Sequence, residues 1–159
     1  MGKIISVNIS KRKRVGKKPV LESEFVAGMG LQGDAHAGPG DRQVSLLMME
    51  SIQKQIDLLD QNRGNGNISE KSKKRIGLKP GVYAENLTTG GLNLLALKPG
   101  DELKVGQKVK LRVTRIGKEC HTNCAVYRIV GDCVMPREGI FCEVLEGGAV
   151  RAGDNIERC

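Results

Sequence analysis

The sequence predicts a mostly β protein with a few short helices, an α+β class with tight corners. Two observations predict it: strand-like segments recur along the whole chain, and Gly-Asp pairs separate them. A Gly-Asp pair marks a turn because glycine tolerates positive φ and aspartate bonds its own backbone. These pairs are Gly33-Asp34, Gly40-Asp41, Gly100-Asp101, Gly131-Asp132 and Gly153-Asp154.

Several segments have strand or helix patterns. The predicted strands are Ile4 to Ile9, Val20 to Val26, Gln43 to Met48, Gln107 to Ile116, Ile140 to Leu145 and a short one near Ile156. A helix is predicted from Glu50 to Leu59, because Ile52, Ile56 and Leu59 form an apolar stripe. A second is predicted from Asn123 to Val130. Residues 61 to 75 are polar and rich in glycine, so we expect a mobile loop there.

The length of 159 residues fits one domain, 1–159, that buries about 70% of its unfolded surface and folds without disulfides. Apolar runs of a few residues fall far short of the ~20 needed to span a bilayer, and the N-terminus lacks a signal-like apolar core. We therefore expect a cytoplasmic protein without a membrane partner. In a reducing compartment, the five cysteines are expected to be thiols, metal ligands or catalytic groups.

The net charge of +8 is concentrated in two segments, 11–18 and 71–79, which hold eleven of the 26 basic residues and no acidic residue. Such runs either solvate a loop or attract anions such as phosphates. The chain has no Trp, two Phe and two Tyr, so stacking platforms for single-stranded nucleic acid are scarce. A small basic β-barrel that binds nucleic acid or acts as an adaptor is kept as an alternative.

The stretch GKECHTNC, residues 117–124, concentrates cysteine and histidine. Cys120 precedes the predicted Asn123 helix, whose free amides and macrodipole stabilise a negative charge, and Arg115 and Lys118 add positive charge. Together these groups increase the thiolate fraction of Cys120 and make it a nucleophile or a soft metal ligand.

Two other interpretations of the cysteines stay open. A structural zinc site is an alternative, although the C-x3-C spacing matches zinc motifs loosely and a domain of this size needs no metal to fold. Cys124, Cys133 and Cys142 are otherwise expected to be small apolar core residues.

A glycine-rich stretch, GMGLQGDAHAGPGDRQVSLL at 28–47, lacks the order of known nucleotide motifs. Its freed backbone amides and Arg42 can bind an oxyanion, while His36 is either structural or functional. A third stretch, YAENLTTGGL at 83–92, places polar side chains before two glycines. These polar residues are candidates for a binding site, but turn chemistry alone also explains the pattern.

In this order the three stretches resemble the MOSC family, the domain that also forms the C-terminal part of molybdenum cofactor sulfurases. The matching segments are GLQGDAHAGPGDRQVSLL, GVYAENLTTGGLNLLALKPGDELKVG and VTRIGKECHTNCAVYRIVGDCVMPREGIFCEVLEGGAVRAGDNIE. The resemblance, to the short stand-alone bacterial type, implies a compact β-barrel-like fold. It also implies a role with the molybdenum cofactor, either binding it or carrying sulfur as a persulfide on Cys120 for cofactor sulfuration or assembly of metal-sulfur centres.

The resemblance also implies site residues and partners. Cys120 is the expected catalytic residue, and in amidoxime-reducing relatives the corresponding thiolate ligates molybdenum. The expected partners are molybdopterin-processing proteins or a cysteine desulfurase that donates sulfur. We expect sulfurase-type activity but no independent reductase activity, because the larger oxidoreductase relatives carry additional domains. The residues expected to bind molybdopterin are Gly33, Asp34, His36, Arg42, Gln43, Asn86, Thr88, His121 and Arg137.

Overall fold

The computed structural model describes residues 1–13, 15–61, 77–117 and 133–159. The strands are β1 (Gly2–Ile9), β2 (Lys18–Val20), β3 (Glu22–Val26), β4 (Gly30–Leu31), β5 (Val44–Met48), β6 (Leu87–Gly90), β7 (Glu102–Val105), β8 (Val109–Ile116), β9 (Ile140–Glu146), β10 (Gly148–Arg151) and β11 (Asn155–Arg158). The helices are α1 (Met49–Gln61), α2 (Met135–Glu138) and a 3-10 turn, Leu94–Ala96. No helix in these ranges is long and apolar enough to cross a membrane.

Seven strands close into a barrel in the order β1-β11-β7-β8-β9-β5-β6, with β6 pairing back to β1. Among the described neighbours, β5 and β6 form the parallel pair, and α1 follows β5 directly, as a parallel crossover requires. The strand β2 pairs with β1 outside the ring, and β10, β3 and β4 form a second, three-stranded sheet. The prediction of a mostly β, barrel-like fold is confirmed.

Strand β5 lies at the boundary between two apolar clusters, which explains why all five of its residues are buried. Val44, Leu46 and Met48 face the barrel interior, whereas Leu47 packs on the outside against Ile52 of α1. This outer cluster also contains Val134 and Met135 at α2 and Phe141 of β9, together with Tyr83. The outer cluster therefore fixes α1 and α2 on one side of the barrel wall.

The predicted elements are confirmed in part. The predicted strand from Val20 to Val26 is two strands, β2 and β3, separated at Leu21, whose side chain is 93% exposed. The strands β4, β6, β7 and β10 and the short α2 are additions to the predicted set. The predicted helix Asn123 to Val130, the Gly131-Asp132 turn and nearly all of the 61–75 loop lie outside the described residues.

Candidate functional site

A cavity of about 60 Å³ lies between the barrel wall and α2. At roughly 10–15 Å³ for each water, it has room for about four to six waters, and so for a group as small as a phosphate. The glycine-rich stretch 28–47, the YAENLTTGGL stretch 83–92 and the α2–β9 region all contribute to its lining. The lining residues are His36, Arg42, Ser45, Ala84, Met135 and Phe141.

Gln43 holds the glycine-rich loop against the barrel. Its buried side-chain amide donates to the carbonyls of Gly28 (3.0 Å) and Gly40 (3.2 Å), and its Oε1 accepts the backbone N–H of Val144 (3.0 Å). Gly30 has a φ of +117°, and a Cβ there would lie 2.5 Å from the Gln43 carbonyl. These contacts fix the position of the residue next to Gln43, which is Arg42.

Arg42 places a positive charge at the cavity. Its guanidinium carbon lies 5.6 Å from the centroid of the Phe141 ring, within the range of a cation-π contact. The hydroxyl of Thr114 on β8 lies 2.5 Å from the Asp41 carbonyl and 3.1 Å from the Phe141 carbonyl, within hydrogen-bonding distance of both, and so links the Arg42 loop to β8 and β9. An exposed, oriented guanidinium is suited to binding phosphate or carboxylate.

Behind the cavity, Lys17 and Asp34 form a buried ion pair. The Lys17 Nζ lies 2.7 Å from Asp34 Oδ1, and both side chains are 0% exposed. The same Asp34 oxygen accepts the backbone N–H of Ser10, and Oδ2 accepts that of His36. Burial favours a higher pKa for Asp34, but these hydrogen bonds and the charge of Lys17 outweigh burial and lower the pKa below its usual value. Asp34 is therefore a carboxylate at neutral pH.

His36 connects this buried pair to the cavity. Its Nδ1 lies 3.1 Å from Lys17 Nζ and 3.9 Å from Asp34 Oδ2, so Lys17, and not the carboxylate, is within hydrogen-bonding distance of the ring. The His36 side chain is 34% exposed and lines the cavity. One edge of the ring thus faces a buried cation, while the residue as a whole reaches the candidate binding surface.

The YAENLTTGGL stretch forms a buried polar network on the other side of the cavity. Asn86 Oδ1 accepts the backbone N–H of Ser45, and Asn86 Nδ2 donates to the Asn8 carbonyl. The Ser45 hydroxyl lies 3.2 Å from the Ala84 carbonyl, and Ala84 has a φ of +64°, a strained conformation for alanine. The network holds this strained residue at the cavity wall.

Glu85 and Thr88 lie deeper in the same network. Thr88 donates to Glu85 Oε2 (2.7 Å) and accepts from Asn8 Nδ2, while Gly81 N–H donates to Glu85 Oε1. Burial of the Glu85 carboxyl raises its pKa even though these donors act in the opposite direction. Within the part of the chain that the structure describes, no cation forms an ion pair with Glu85.

The end of β8 leads toward the predicted reactive cysteine. Gly117 N–H donates to the Gly139 carbonyl (2.7 Å), and Gly117 has a φ of +69°. A Cβ at Gly117 would lie 2.1 Å from the Pro136 carbonyl. Gly117, the last described residue before Cys120, is therefore fixed against α2, next to the strand that carries Phe141.

The structure brings together only some of the predicted site residues. His36 and Arg42 line the cavity, Asp34 lies behind it, and Gln43, Asn86 and Thr88 are buried with hydrogen bonds to neighbouring groups. Gly33 forms an exposed turn, and Arg137 is exposed on α2 without lining the cavity. Cys120 and His121, like Cys124, lie outside the described residues, so the predicted catalytic and metal-ligand role of Cys120 stays a prediction.

Lys17 is one of the residues that sequence reasoning missed, as are Ser45, Ala84, Met135 and Phe141 of the cavity lining. Within the basic run 11–18 it was grouped with solvated or anion-attracting cations, yet its side chain is buried, and its backbone N–H donates to the Gly81 carbonyl (2.7 Å). The neighbouring Lys18 is exposed. No local feature of the sequence separates the two lysines.

The described cysteines differ in their surroundings. Cys142 is fully buried in the barrel core, as expected of a small apolar core residue, and burial raises its pKa far above the usual range. Cys133 is half-buried beside the outer cluster, and Cys159 is exposed. Within the described ranges, no group of three or more His, Cys, Asp and Glu side chains could hold a metal ion.

Comparisons with known proteins agree with this architecture. A family model for the MOSC domain matches residues 32–157. The YuaD protein from Bacillus subtilis is similar in structure, with a TM-score of 0.69 and 20% identity over 98% of this chain and 94% of that chain. The YiiM proteins are also similar: that from Geobacillus stearothermophilus has a TM-score of 0.66 and 18% identity over 100% of this chain and 75% of that chain. YiiM from Escherichia coli has a TM-score of 0.64 and 19% identity over 100% and 70%.

None of the curated proteins matches this chain. The identities to the solved structures are low, so these structures support the fold alone, whereas the family model covers most of the chain. The chain therefore belongs to the MOSC domain family, which is associated with molybdenum cofactor sulfurase-like function.

Proposed function

We propose that this protein works with the molybdenum cofactor, carrying sulfur as a persulfide on Cys120 and holding an oxyanion of its ligand with Arg42 and His36. The observation that carries the proposal is the oxyanion-sized cavity, lined by these two nitrogen-bearing side chains, on the side of the barrel where the Cys120 segment begins. The sulfur acceptor would be the cofactor itself or a metal-sulfur centre under assembly.

The described residues fit one end of the cofactor. A cavity of about 60 Å³ is far smaller than the ~300 Å³ or more of typical small-molecule pockets. Its donors suit a phosphate group, which Arg42 can bind in bidentate fashion and His36 can hydrogen-bond. Arg42 and His36 would therefore hold the phosphate, and the pterin would extend beyond this cavity. When bound, the cofactor supplies a soft metal centre that accepts sulfur ligands.

Chain connectivity limits how far Cys120 can lie from Gly117. Cys120 follows Gly117 by three residues, and three residues span at most about 11 Å. Gly117 is bonded to Gly139, immediately before β9, and β9 carries Phe141 in the cavity wall. This short connection to the strand that carries Phe141 supports the proposal that one ligand is served by Cys120, Arg42 and His36.

The proposed sulfur transfer uses the thiolate of Cys120 as its nucleophile. The thiolate attacks the outer sulfur of a persulfide on the donor protein, a new S–S bond forms to Cys120, and the donor's S–S bond breaks. The donor leaves as a thiolate, so no external oxidant is needed. The positive charge of Arg42 near the site would favour the anionic form of the persulfide.

Replacement of Cys120 by serine tests the sulfur-carrying role. Intact-mass measurement under anaerobic conditions, after treatment with a limiting persulfide donor, should show one added sulfur atom in the unaltered chain and none in Cys120→Ser. Cys159→Ser is the matched control, because it removes an exposed thiol and should leave the labelling unchanged. Equal labelling of Cys120→Ser and the unaltered chain would refute the assignment.

Replacement of Arg42 by alanine tests the oxyanion site independently of sulfur chemistry. Binding of inorganic phosphate and of the isolated cofactor, measured by calorimetry, should weaken in Arg42→Ala, with a smaller loss at high salt. Arg151→Ala, which removes an exposed arginine on β10, serves as the control and should bind normally. Unchanged binding in Arg42→Ala would mean that this residue only braces its loop.

A polyanion-binding role is the second candidate, favoured by a separate surface. A cleft of about 350 Å³ is lined by Lys104, Lys108 and Lys110 at the β7–β8 hairpin, with Glu146 beside them. Binding of nucleic acid there would fall steeply with salt because counterions are released. Gel shifts at two salt concentrations test it, and replacing all three lysines by glutamine should abolish any shift.

A further inference from the structure

We propose that Lys17 and Asp34 are positioning residues that keep His36 neutral with its proton on Nε2, so that the ring donates a hydrogen bond to an oxyanion in the cavity. The inference rests on the proposed oxyanion site and assigns a role to Lys17, which the sequence did not single out. The ligand class is an oxyanion with an unprotonated oxygen, as in a phosphate ester.

The donor inventory of the three side chains sets the position of the proton. A lysine ammonium carries three donors and no acceptor, whereas a neutral imidazole has one of each. Lys17 Nζ lies 3.1 Å from His36 Nδ1, so Nδ1 must be the acceptor of this contact. The proton of the neutral ring is then on Nε2, at the edge of the ring away from the buried lysine.

Asp34 acts on the backbone of His36 and on Lys17, not on the ring. Its Oδ2 accepts the backbone N–H of His36 at 3.1 Å, while the distance from Oδ2 to Nδ1 is 3.9 Å, too long for a hydrogen bond. In the common Asp-His arrangement the carboxylate accepts Nδ1–H and favours the imidazolium. In this protein the Lys17 ammonium, and not a carboxylate, contacts Nδ1 of His36.

Among the described residues, the charges next to His36 also disfavour a protonated ring. Lys17 contacts Nδ1 directly and Arg42 lines the same cavity, whereas the carboxylate of Asp34 is already paired with Lys17. A proton on Nδ1 would remove the acceptor of Lys17 and place two cations within about 3 Å, at hydrogen-bonding distance. His36 is thus suited to donate a hydrogen bond and unsuited to act as a general base through Nδ1.

The ¹⁵N resonances of the His36 ring at neutral pH test this assignment in the full chain. The chain has two histidines, so a His121→Gln variant assigns the spectrum. The unaltered chain should show an unprotonated Nδ1 and a protonated Nε2, and addition of inorganic phosphate should shift the Nε2 signal. A ring protonated on Nδ1, whether neutral or doubly protonated, would overturn the proposal.

Variants separate positioning from folding. In Lys17→Met the acceptor constraint is lost and Asp34 faces the ring without its cation, so a proton should appear on Nδ1. Lys18→Met, a change at an exposed neighbour, should leave the ring signals unaltered. If Lys17→Met does not fold, Lys17→Met/Asp34→Asn, which removes both charges, should give a mixture of tautomers. An Nε2-protonated ring in the folded variants, as in the unaltered chain, would also overturn the proposal.

The same samples show whether a failure concerns this inference or the proposed function. Persulfide labelling of Cys120, measured on the unaltered chain, depends on its thiol and not on the tautomer of His36. If His36 carries its proton on Nδ1 while Cys120 is labelled as expected, only the role of Lys17 is refuted. Normal tautomers with no labelling remove the sulfur-carrying function instead.

Discussion

Replacement of Lys17 by methionine should destabilise the fold strongly, because it leaves the Asp34 carboxylate buried without its cation. Both side chains are 0% exposed and their charged atoms are 2.7 Å apart, so little solvent is available to compensate the remaining charge. Breaking a buried ion pair by removing one partner costs about 3–5 kcal/mol. Since domains are stable by about 5–15 kcal/mol, the variant should still fold, with a much lower urea midpoint.

A double-mutant cycle isolates the pair itself. Asp34→Asn should also destabilise, because it strands the Lys17 ammonium and loses one of the hydrogen bonds from Ser10 and His36. Lys17→Met/Asp34→Asn carries neither charge, so its loss should be smaller than the sum of the single losses by at least about 2 kcal/mol. Urea unfolding followed by circular dichroism measures each free energy of unfolding.

The control for this cycle is Lys18→Met, a change at an exposed lysine that should alter the free energy by no more than about 0.5 kcal/mol. Strictly additive effects of the two changes would refute a direct Lys17–Asp34 interaction. A Lys17→Met variant within about 1 kcal/mol of the unaltered chain would show that this side chain is solvated and not buried.

Three further predictions concern the polar groups around the site. Thr89 has a buried hydroxyl without a hydrogen-bond partner within the described chain, so Thr89→Val should raise the free energy of unfolding by about 1–3 kcal/mol. A lower free energy of unfolding for Thr89→Val, measured in urea, would contradict this. Gly81 has a φ of +92° and a Cβ there would lie 2.2 Å from the Lys17 carbonyl, so Gly81→Ala should cost more than about 1 kcal/mol, whereas Gly153→Ala, with open space around its Cβ, should cost less. The folded-state pKa of Glu85 is raised, so its contribution to stability is complete below its unfolded value near 4.5 and is lost as pH rises through the folded value. The stability of Glu85→Gln relative to the unaltered chain should therefore increase as pH rises above 4.5. A difference in the free energy of unfolding that does not change with pH would show that folding does not raise the pKa of Glu85.

Much of the barrel could be predicted from local sequence, because several strands have regular patterns. The alternation in β1 and β8 reflects one face turned to the core and one to solvent. The predicted turns at Gly100-Asp101 and Gly153-Asp154 are also confirmed: Asp101 accepts the backbone N–H of Lys98, and Asp154 accepts that of Arg151. Strands and turns that depend on residues close in sequence could therefore be predicted.

Strand β6 could not be predicted, because tertiary contacts determine it. The sequence LTTG looks like turn chemistry, yet the strand lies between β5 and β1 and its first three residues are fully buried. The break at Leu21 was missed for the opposite reason: an apolar side chain continues the strand pattern, while the structure leaves it 93% exposed between two strands of different sheets.

The candidate site was predictable as a set of loops but not as a geometry. Arg42 and His36 were identified by their residue types in a glycine-rich stretch, and they line the same cavity. Lys17 was not identified, because its burial depends on the Gly81 carbonyl and the Asp34 carboxylate, which are distant in sequence. Nothing within the run of lysines and arginines distinguishes a buried cation from a solvated one.

The most direct measurement of the central claim is the location of a transferred sulfur atom among the five cysteines. The full chain would be mixed anaerobically with a limiting persulfide donor, digested, and its peptides analysed by mass spectrometry. The added sulfur should be found on the peptide that contains Cys120 and should disappear on reduction. Sulfur on Cys159 or another cysteine with Cys120 unmodified, or no sulfur at all, would contradict a sulfur-carrying role for this thiol.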